Sequence, residues 1–309
     1  MLDLYDDQAW SRALAALEPD IHAVDRNATR IWFYFFPLAL ARAFARAEDP
    51  IALANQLQLR GAYLLKDQID SSHRFLYAHR YWPEVKKSLA DRAASGREFG
   101  DLESEIRALA GNDPLRLGIG AVALMTLQQV GAEAFQAAPG FIQLDPAQLA
   151  LTPERVLAQR ARDNYQPWLV KFIRGDMRKH WTITYDERNL DAKFDLIDSQ
   201  LITTAAAGDP RPLHEHDPRC KAGEGPIPIE CRAAACGSCW VGVLGGAEKL
   251  SEVQPLERRR IREFGYVHTD EPRPIVRLAC MAQAYGAVSL VIPPWNAYFA
   301  KYLEGETAP

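Results

Sequence analysis

The sequence predicts an α+β protein in which an N-terminal all-α domain precedes a smaller domain that mixes strands and helices. Residues 1–176 are dominated by Ala, Leu, Arg, Glu and Gln, which are good helix formers. From Lys179 onward, β-branched and aromatic residues begin to alternate, which indicates strands. The chain has 309 residues, enough for two domains of ordinary size. We therefore predict a helical domain over 1–176 and a second domain over 177–309.

Helix starts in the first domain are marked by proline. Asp113–Pro114 and Thr152–Pro153 each pair a capping residue with a proline at the first helical position. We expect roughly six to eight helices, because good helix formers dominate throughout. Gly118 and Gly120 match a dinucleotide-binding pattern on paper, but that pattern needs a preceding strand. Here a helix runs through both glycines, which favours close helix packing.

Two histidines precede a proline in the same domain. Pro83 is expected to end or kink a helix that runs through His73–Trp82. On such a helix His73 and His79, six residues apart, would lie about 120° apart. They would then be poorly placed to share a metal ion. The dense aromatic stretch Ile31–Phe36 is interpreted as core, with a partner-facing or membrane-facing patch as the alternative.

The second domain is predicted to contain strands, one short helix and a terminal helix. The helix is expected over Asp198–Ala207, with Asp198 or Ser199 near its cap. Trp295–Leu303 is expected to form one more short helix after Pro293–Pro294 ends the sheet. Strands are predicted at His180–Tyr185, Lys193–Ile197, Trp240–Leu244, Val276–Leu278 and Ala287–Ile292.

The cysteines carry the most information about function. All five follow residue 219: Cys220, Cys231, Cys236, Cys239 and Cys280. The N-terminus has no apolar segment after a basic start, so no secretory signal is predicted and the expected location is cytoplasmic. An odd number of clustered cysteines without a signal argues against a disulfide framework. Reduced thiols that bind a metal fit better.

The spacing of four of these cysteines favours an iron–sulfur cluster. Cys231, Cys236 and Cys239 form C-x4-C-x2-C, and Cys280 is a distant fourth, which is the plant-type [2Fe–2S] arrangement. Apart from Arg232, the residues between the first three are small, so a short loop can wrap around a cluster and direct backbone N–H groups at its sulfurs: Ala233, Ala234, Ala235, Gly237 and Ser238. A structural zinc site is the alternative, but zinc usually pairs two C-x2-C motifs and only one is present.

The cysteine loop resembles the plant-type [2Fe–2S] ferredoxin family. The resemblance is carried by CRAAACGSC at Cys231–Cys239, LAC at Leu278–Cys280 and a strand that ends in VIPP, and it extends over residues 180–295. It implies a β-grasp fold and a one-electron carrier. It also implies that Cys231, Cys236, Cys239 and Cys280 hold a single [2Fe-2S] cluster. Ala234 stands where the family commonly has glycine.

The resemblance also bears on partners. The long gap before Cys280 implies an insertion within Glu248–Pro274, which holds a basic run: Arg258, Arg259, Arg260 and Arg262. That run is interpreted as a solvated helix face or as a docking surface. The implied partners are redox proteins, an electron donor and an acceptor. A net charge of −4 excludes the strongly basic body of a dedicated nucleic-acid binder. Peripheral association with a membrane complex is compatible with the sequence.

The sequence is best interpreted as an electron-transfer protein that docks to a redox complex through its helical domain. No acid–base pair or nucleophile constellation is evident, so a non-catalytic carrier is favoured over an enzyme. One alternative is the electron-input subunit of a multi-component oxidoreductase whose helical domain binds a substrate or second cofactor. Another is a redox sensor. His214, His216 and Cys220 form a further H-x-H-x3-C pattern, interpreted as an exposed loop with a spare thiol.

Overall fold

A computed structural model describes residues 4–35, 48–49, 65–96, 98–163, 178–215, 217, 220–263 and 269–292. The described residues fall into two compact units. The first lies within Met1–Phe33 and Leu64–Leu157, and the second within Tyr34–Tyr63 and Ala158–Pro309. The predicted boundary between residues 176 and 177 lies outside the described residues, as does the predicted helix Trp295–Leu303.

The described part of the first 176 residues contains eight α-helices, within the predicted range. They are α1 (Asp7–Leu17), α2 (Ala23–Phe35), α3 (Trp82–Ala94), α4 (Leu102–Ala110), α5 (Pro114–Val130), α6 (Ala132–Ala137), α7 (Pro146–Leu149) and α8 (Pro153–Ala161). Short 3₁₀ helices cover Leu65–Asp67 and Tyr77–Tyr81. None of the helices in the described ranges is long and apolar enough to cross a membrane.

Helix α5 is the core of the first unit. It begins as predicted: Pro114 occupies the first turn, and the Asp113 side chain accepts a hydrogen bond from Leu115 N. Every residue from 117 to 128 is buried. A Cβ added at Gly118 would lie 2.3 Å from Thr29 Oγ1 of α2, so the two helices approach closely there. The interpretation of this glycine pattern as helix packing is consistent with that contact.

The segment before Pro83 differs from the prediction. No continuous helix runs through His73–Trp82, because turns lead into the 3₁₀ helix and α3 begins at Trp82 with Pro83 in its first turn. The buried carboxylate of Asp25 accepts hydrogen bonds from Tyr77 N (2.6 Å) and Ala78 N (2.7 Å). These bonds satisfy the first amides of the 3₁₀ helix and stabilise the non-helical turns that precede it.

The second unit is built on a mixed five-stranded sheet. Its strands are β1 (His180–Thr184), β2 (Lys193–Ile197), β3 (Trp240–Gly245), β4 (Val276–Leu278) and β5 (Val288–Val291), in the order β2-β1-β5-β3-β4. Strands β1 and β5 pair in parallel, and the other neighbours pair antiparallel. The α+β class and the predicted β-grasp domain are confirmed, and all five predicted strands are present.

Two helices of this unit refine the prediction. The helix expected over Asp198–Ala207 begins later, at Ile202, and is α9 (Ile202–Ala206). Ser199 is not a cap because it adopts a left-handed φ of 66° in a turn, and Asp198 instead accepts a hydrogen bond from Trp181 Nε1. The predicted insertion contains α10 (Pro255–Glu263).

Candidate metal centre

The antiparallel pair β3–β4 brings two of the cysteines together. Cys239 immediately precedes β3, and Cys280 follows the end of β4 by two residues. Trp240 pairs with Leu278 in the register, so the start of β3 lies opposite the end of β4. Ala279 N donates a 3.0 Å hydrogen bond to Cys239 O. Residues 41 positions apart in sequence are thus held side by side by the strand register.

The loop that carries the other cysteines has an unusual backbone. Arg232, Ala234 and Gly237 have left-handed φ values of 52°, 56° and 68°. Glycine adopts this region readily, whereas residues with a Cβ do so at an energetic cost. Left-handed residues that alternate with right-handed ones turn successive N–H groups toward one point and form an anion-binding concavity.

The amides of the loop converge on the Cys231 sulfur. The N–H groups of Ala233, Ala235 and Cys236 donate to Cys231 Sγ at 3.4, 3.2 and 3.3 Å. Burial raises the pKa of Cys231, but these hydrogen bonds outweigh it and hold the pKa below its ordinary value. The loop therefore favours a thiolate at this half-buried position.

The four thiols form two pairs. Cys239 and Cys280 share a hydrogen bond that raises the pKa of Cys239, with burial adding to the rise, and lowers that of Cys280. Cys236 lies beside Cys231, and burial raises its pKa although the hydroxyl of Ser238, 3.1 Å away, opposes the rise. One thiol of each pair is thus biased toward the anion.

This arrangement fits a [2Fe–2S] cluster. Each iron of such a cluster takes two cysteine thiolates, and the thiols here lie two by two. The surroundings of the thiols are also suitable, since backbone N–H groups donate to sulfur and, apart from Arg232, only small side chains separate the loop cysteines. Among the described residues, no three His, Cys, Asp or Glu side chains gather around a point that could hold a single metal ion.

The other predicted candidates lie apart from this loop or outside the description. Cys220 is buried and donates to Pro226 O at 3.5 Å. His214 is exposed in a 3₁₀ helix, Leu213–Glu215, and His216 lies outside the described residues. Within the part of the chain that the structure describes, no group of potential metal ligands includes His214 or Cys220.

Most of the basic run in α10 is engaged within the chain. Arg259 and Arg260 form ion pairs with Glu263, and Arg258 donates to the carbonyls of Thr269 and Glu271. The rim of the cysteine loop also pairs its own charges: Lys221 with Glu230 at 2.5 Å, and Arg232 with Glu224 at 3.6 Å. These four charged side chains are thus paired within the chain.

Sequence reasoning missed a histidine pair in the first unit. The rings of His73 and His79 lie 4.9 Å apart, and the ring of His73 lies 3.9 Å from that of Trp82. The angular separation predicted for a continuous helix was wrong because the chain is not helical there. Burial, and then the nearby His79, hold the pKa of His73 well below its usual value. The proline at residue 83 was the only sequence signal of this break.

The fold of the second unit and its paired thiols are typical of iron–sulfur proteins. A comparison with known families matches residues 217–285, less than a quarter of the chain, to the 2Fe-2S iron-sulfur cluster binding domain. No curated protein and no solved structure matches the chain. The C-terminal part of the chain therefore carries a domain of the [2Fe-2S] ferredoxin family, and its cofactor is a [2Fe-2S] cluster.

Proposed function

We propose that Cys231, Cys236, Cys239 and Cys280 hold the single [2Fe-2S] cluster, and that the chain serves as a one-electron carrier between redox proteins. The observation that supports this most strongly is the two-by-two arrangement of the thiols, with three loop amides directed at Cys231 Sγ. An electron-transfer role is the established use of the matched domain.

The protein's own residues supply charge compensation, exclusion of water and an exposed route for one-electron transfer. When bound, the cluster supplies reversible transfer of one electron. The loop amides offset negative charge on the sulfurs, which favours the reduced form. Because Cys236, Cys239 and Cys280 are buried, water would be excluded from the side of the cluster that these residues hold. Cys231 is only half-buried, and its exposed neighbours Arg232 and Ala233 offer the short route along which an electron would enter or leave.

The role of the helical domain and the location are further parts of the proposal. We assign the helical domain to docking on a redox complex, supported by Phe141 and Leu149, which expose 75% and 55% of their surface in the first unit. We place the protein in the cytoplasm, supported by five cysteines that form no disulfide with one another, since disulfides are rare in that compartment.

Single substitutions test the ligand assignment. Each of the four cysteines is changed to Ser, and iron and acid-labile sulfide are measured on protein purified without oxygen. We expect Cys236→Ser and Cys280→Ser to lose most of the bound iron, because serine oxygen is a poor substitute for thiolate sulfur at iron. The reduced-state EPR signal should be lost or altered in the same variants.

Cys220→Ser provides the matched control. Cys220 is also buried and close in sequence, but its thiol donates to a carbonyl oxygen outside the loop. We expect this variant to keep full iron and sulfide content. Retention of a normal cluster by Cys236→Ser or Cys280→Ser, or its loss in Cys220→Ser, would contradict the assignment.

A further inference from the structure

A fully buried ion pair lies next to the fourth cysteine. Glu257 of α10 and Arg277 of β4 are both 0% exposed. Arg277 Nε donates to Glu257 Oε1 at 2.8 Å and Nη2 donates to Oε2 at 3.0 Å, so the contact is bidentate. Arg277 Nη1 also donates to Ser251 O at 2.7 Å. The insertion predicted from the cysteine spacing is thereby fastened into the interior of the domain.

The same carboxylate grips the backbone that leads to Cys280. Leu278 N donates to Glu257 Oε1 at 2.8 Å. Leu278 pairs with Trp240, which follows Cys239, and Leu278 O accepts the amides of Met281 and Ala282 on the far side of Cys280. A shift of Glu257 would therefore move the backbone next to both Cys239 and Cys280.

Stability alone does not account for such a pair. The attraction between two buried charges barely offsets the free energy lost when they leave water. Well-packed apolar residues of similar volume usually stabilise a core as well or better. Removal of one partner, however, leaves the other charge buried and uncompensated. Glu257 also lies close to the site, because its Oε1 accepts the hydrogen bond from Leu278 N, two residues before Cys280.

We propose that Glu257 and Arg277 are positioning residues of the cluster site, which fix the backbone at Cys280 and keep the local charge balanced so that neither charge alone biases the reduction potential. This inference rests on the proposed ligation by Cys280. Reduction adds one negative charge to the site. An uncompensated Arg277 favours that charge and raises the potential, whereas an uncompensated Glu257 disfavours it and lowers the potential.

Charge-removing variants of the full-length protein test the proposal. The midpoint potential of the cluster, its iron content and the thermal unfolding midpoint are measured for Glu257→Gln, Arg277→Met and the double variant. We expect a higher potential in Glu257→Gln, a lower one in Arg277→Met, and a value between the two in the double variant. A loosened structure alone would move both single variants in the same direction.

The exposed ion pair Arg259–Glu263 on the same helix supplies matched controls. Glu263→Gln and Arg259→Met remove the same charges at the surface, where water screens them, and should shift the potential less than the buried changes. Equal shifts in the buried and surface variants, or shifts of one sign in both buried single variants, would overturn the proposal.

Cluster loading separates this proposal from the proposed function. If the single variants fail to hold iron, recovery of iron in the double variant supports the charge balance, and continued loss overturns it. Glu257→Asp keeps the charge but shortens the reach to Leu278 N, and we expect it to lower iron retention with a smaller potential shift than Glu257→Gln. An iron-free wild-type protein would refute the proposed function instead.

Discussion

Ala234 shows how much of the centre depends on single backbone conformations. Its φ of 56° lies in the left-handed region, which the ferredoxin family commonly fills with glycine at this position. Its amide donates to Cys280, so the left-handed turn joins the loop to the distant fourth cysteine. The energetic cost of placing a Cβ there is on the order of 1 kcal/mol. Alanine has the smallest side chain that carries this cost, and glycine would avoid it.

At the same scale, His73 should make the helical unit sensitive to acid. Its folded-state pKa is held well below 6.5, so below pH 6.5 the unfolded chain takes up a proton that the folded chain refuses. Stability is thus fully present above that pH and falls as the pH decreases, by up to about 1.4 kcal/mol per pH unit for one proton. Denaturant unfolding followed by circular dichroism between pH 7.5 and 5 measures the slope.

Two substitutions isolate the His73 contribution. His73→Phe keeps a ring against Trp82 and His79, and we expect it to flatten the dependence of unfolding free energy on pH. His214→Gln removes an exposed histidine and should leave the slope as it is in the wild type. A His73→Phe variant with the wild-type slope would show that the buried ring is not the source of the acid sensitivity.

Among the elements, strands were better predicted than the contacts that hold them. Strands β2 and β4 have the predicted bounds. In β2 buried and exposed residues alternate, as expected for a pleated strand, whereas all three residues of β4 are buried. The buried pair Glu257–Arg277 was not predicted, because Glu257 lies in a segment that looks like a charged helix face. Sequence alone does not say which charge of such a helix turns inward.

The close contact between α2 and α5 can be tested by substitution. Gly118→Ala places a Cβ 2.3 Å from Thr29 Oγ1, so the buried threonine must move. Gly120→Ala meets its nearest neighbour, Ile106 O, at 3.4 Å, which is an ordinary contact. Both changes gain about 1 kcal/mol of helix propensity. We expect Gly118→Ala to be less stable than Gly120→Ala by about 1–3 kcal/mol.

A double substitution checks the cause of this difference. Thr29→Ala removes the hydroxyl group that obstructs the new Cβ, so Gly118→Ala should cost less in that background. Thermal or denaturant unfolding of the four proteins gives the coupling energy. Equal stability of Gly118→Ala and Gly120→Ala in the wild-type background would be inconsistent with the close helix approach.

For the whole molecule, the sequence predicted more of the cluster domain than of the helical unit. Four cysteines with a fixed spacing report a cofactor directly, because the metal dictates residue type and separation. The helical unit has no comparable chemical constraint. Its apolar pattern reports burial but not which side chains meet, and so His73 and His79 were placed apart. Docking through this unit and the identity of the redox partners stay predictions.

EPR of the anaerobically purified and reduced protein determines whether this chain holds one [2Fe-2S] cluster that accepts a single electron. We predict a rhombic signal from a reduced [2Fe-2S] centre, with two irons and two acid-labile sulfides per chain. A visible spectrum of the same sample should contain only iron–sulfur absorption. An EPR-silent reduced sample without labile sulfide would contradict the account.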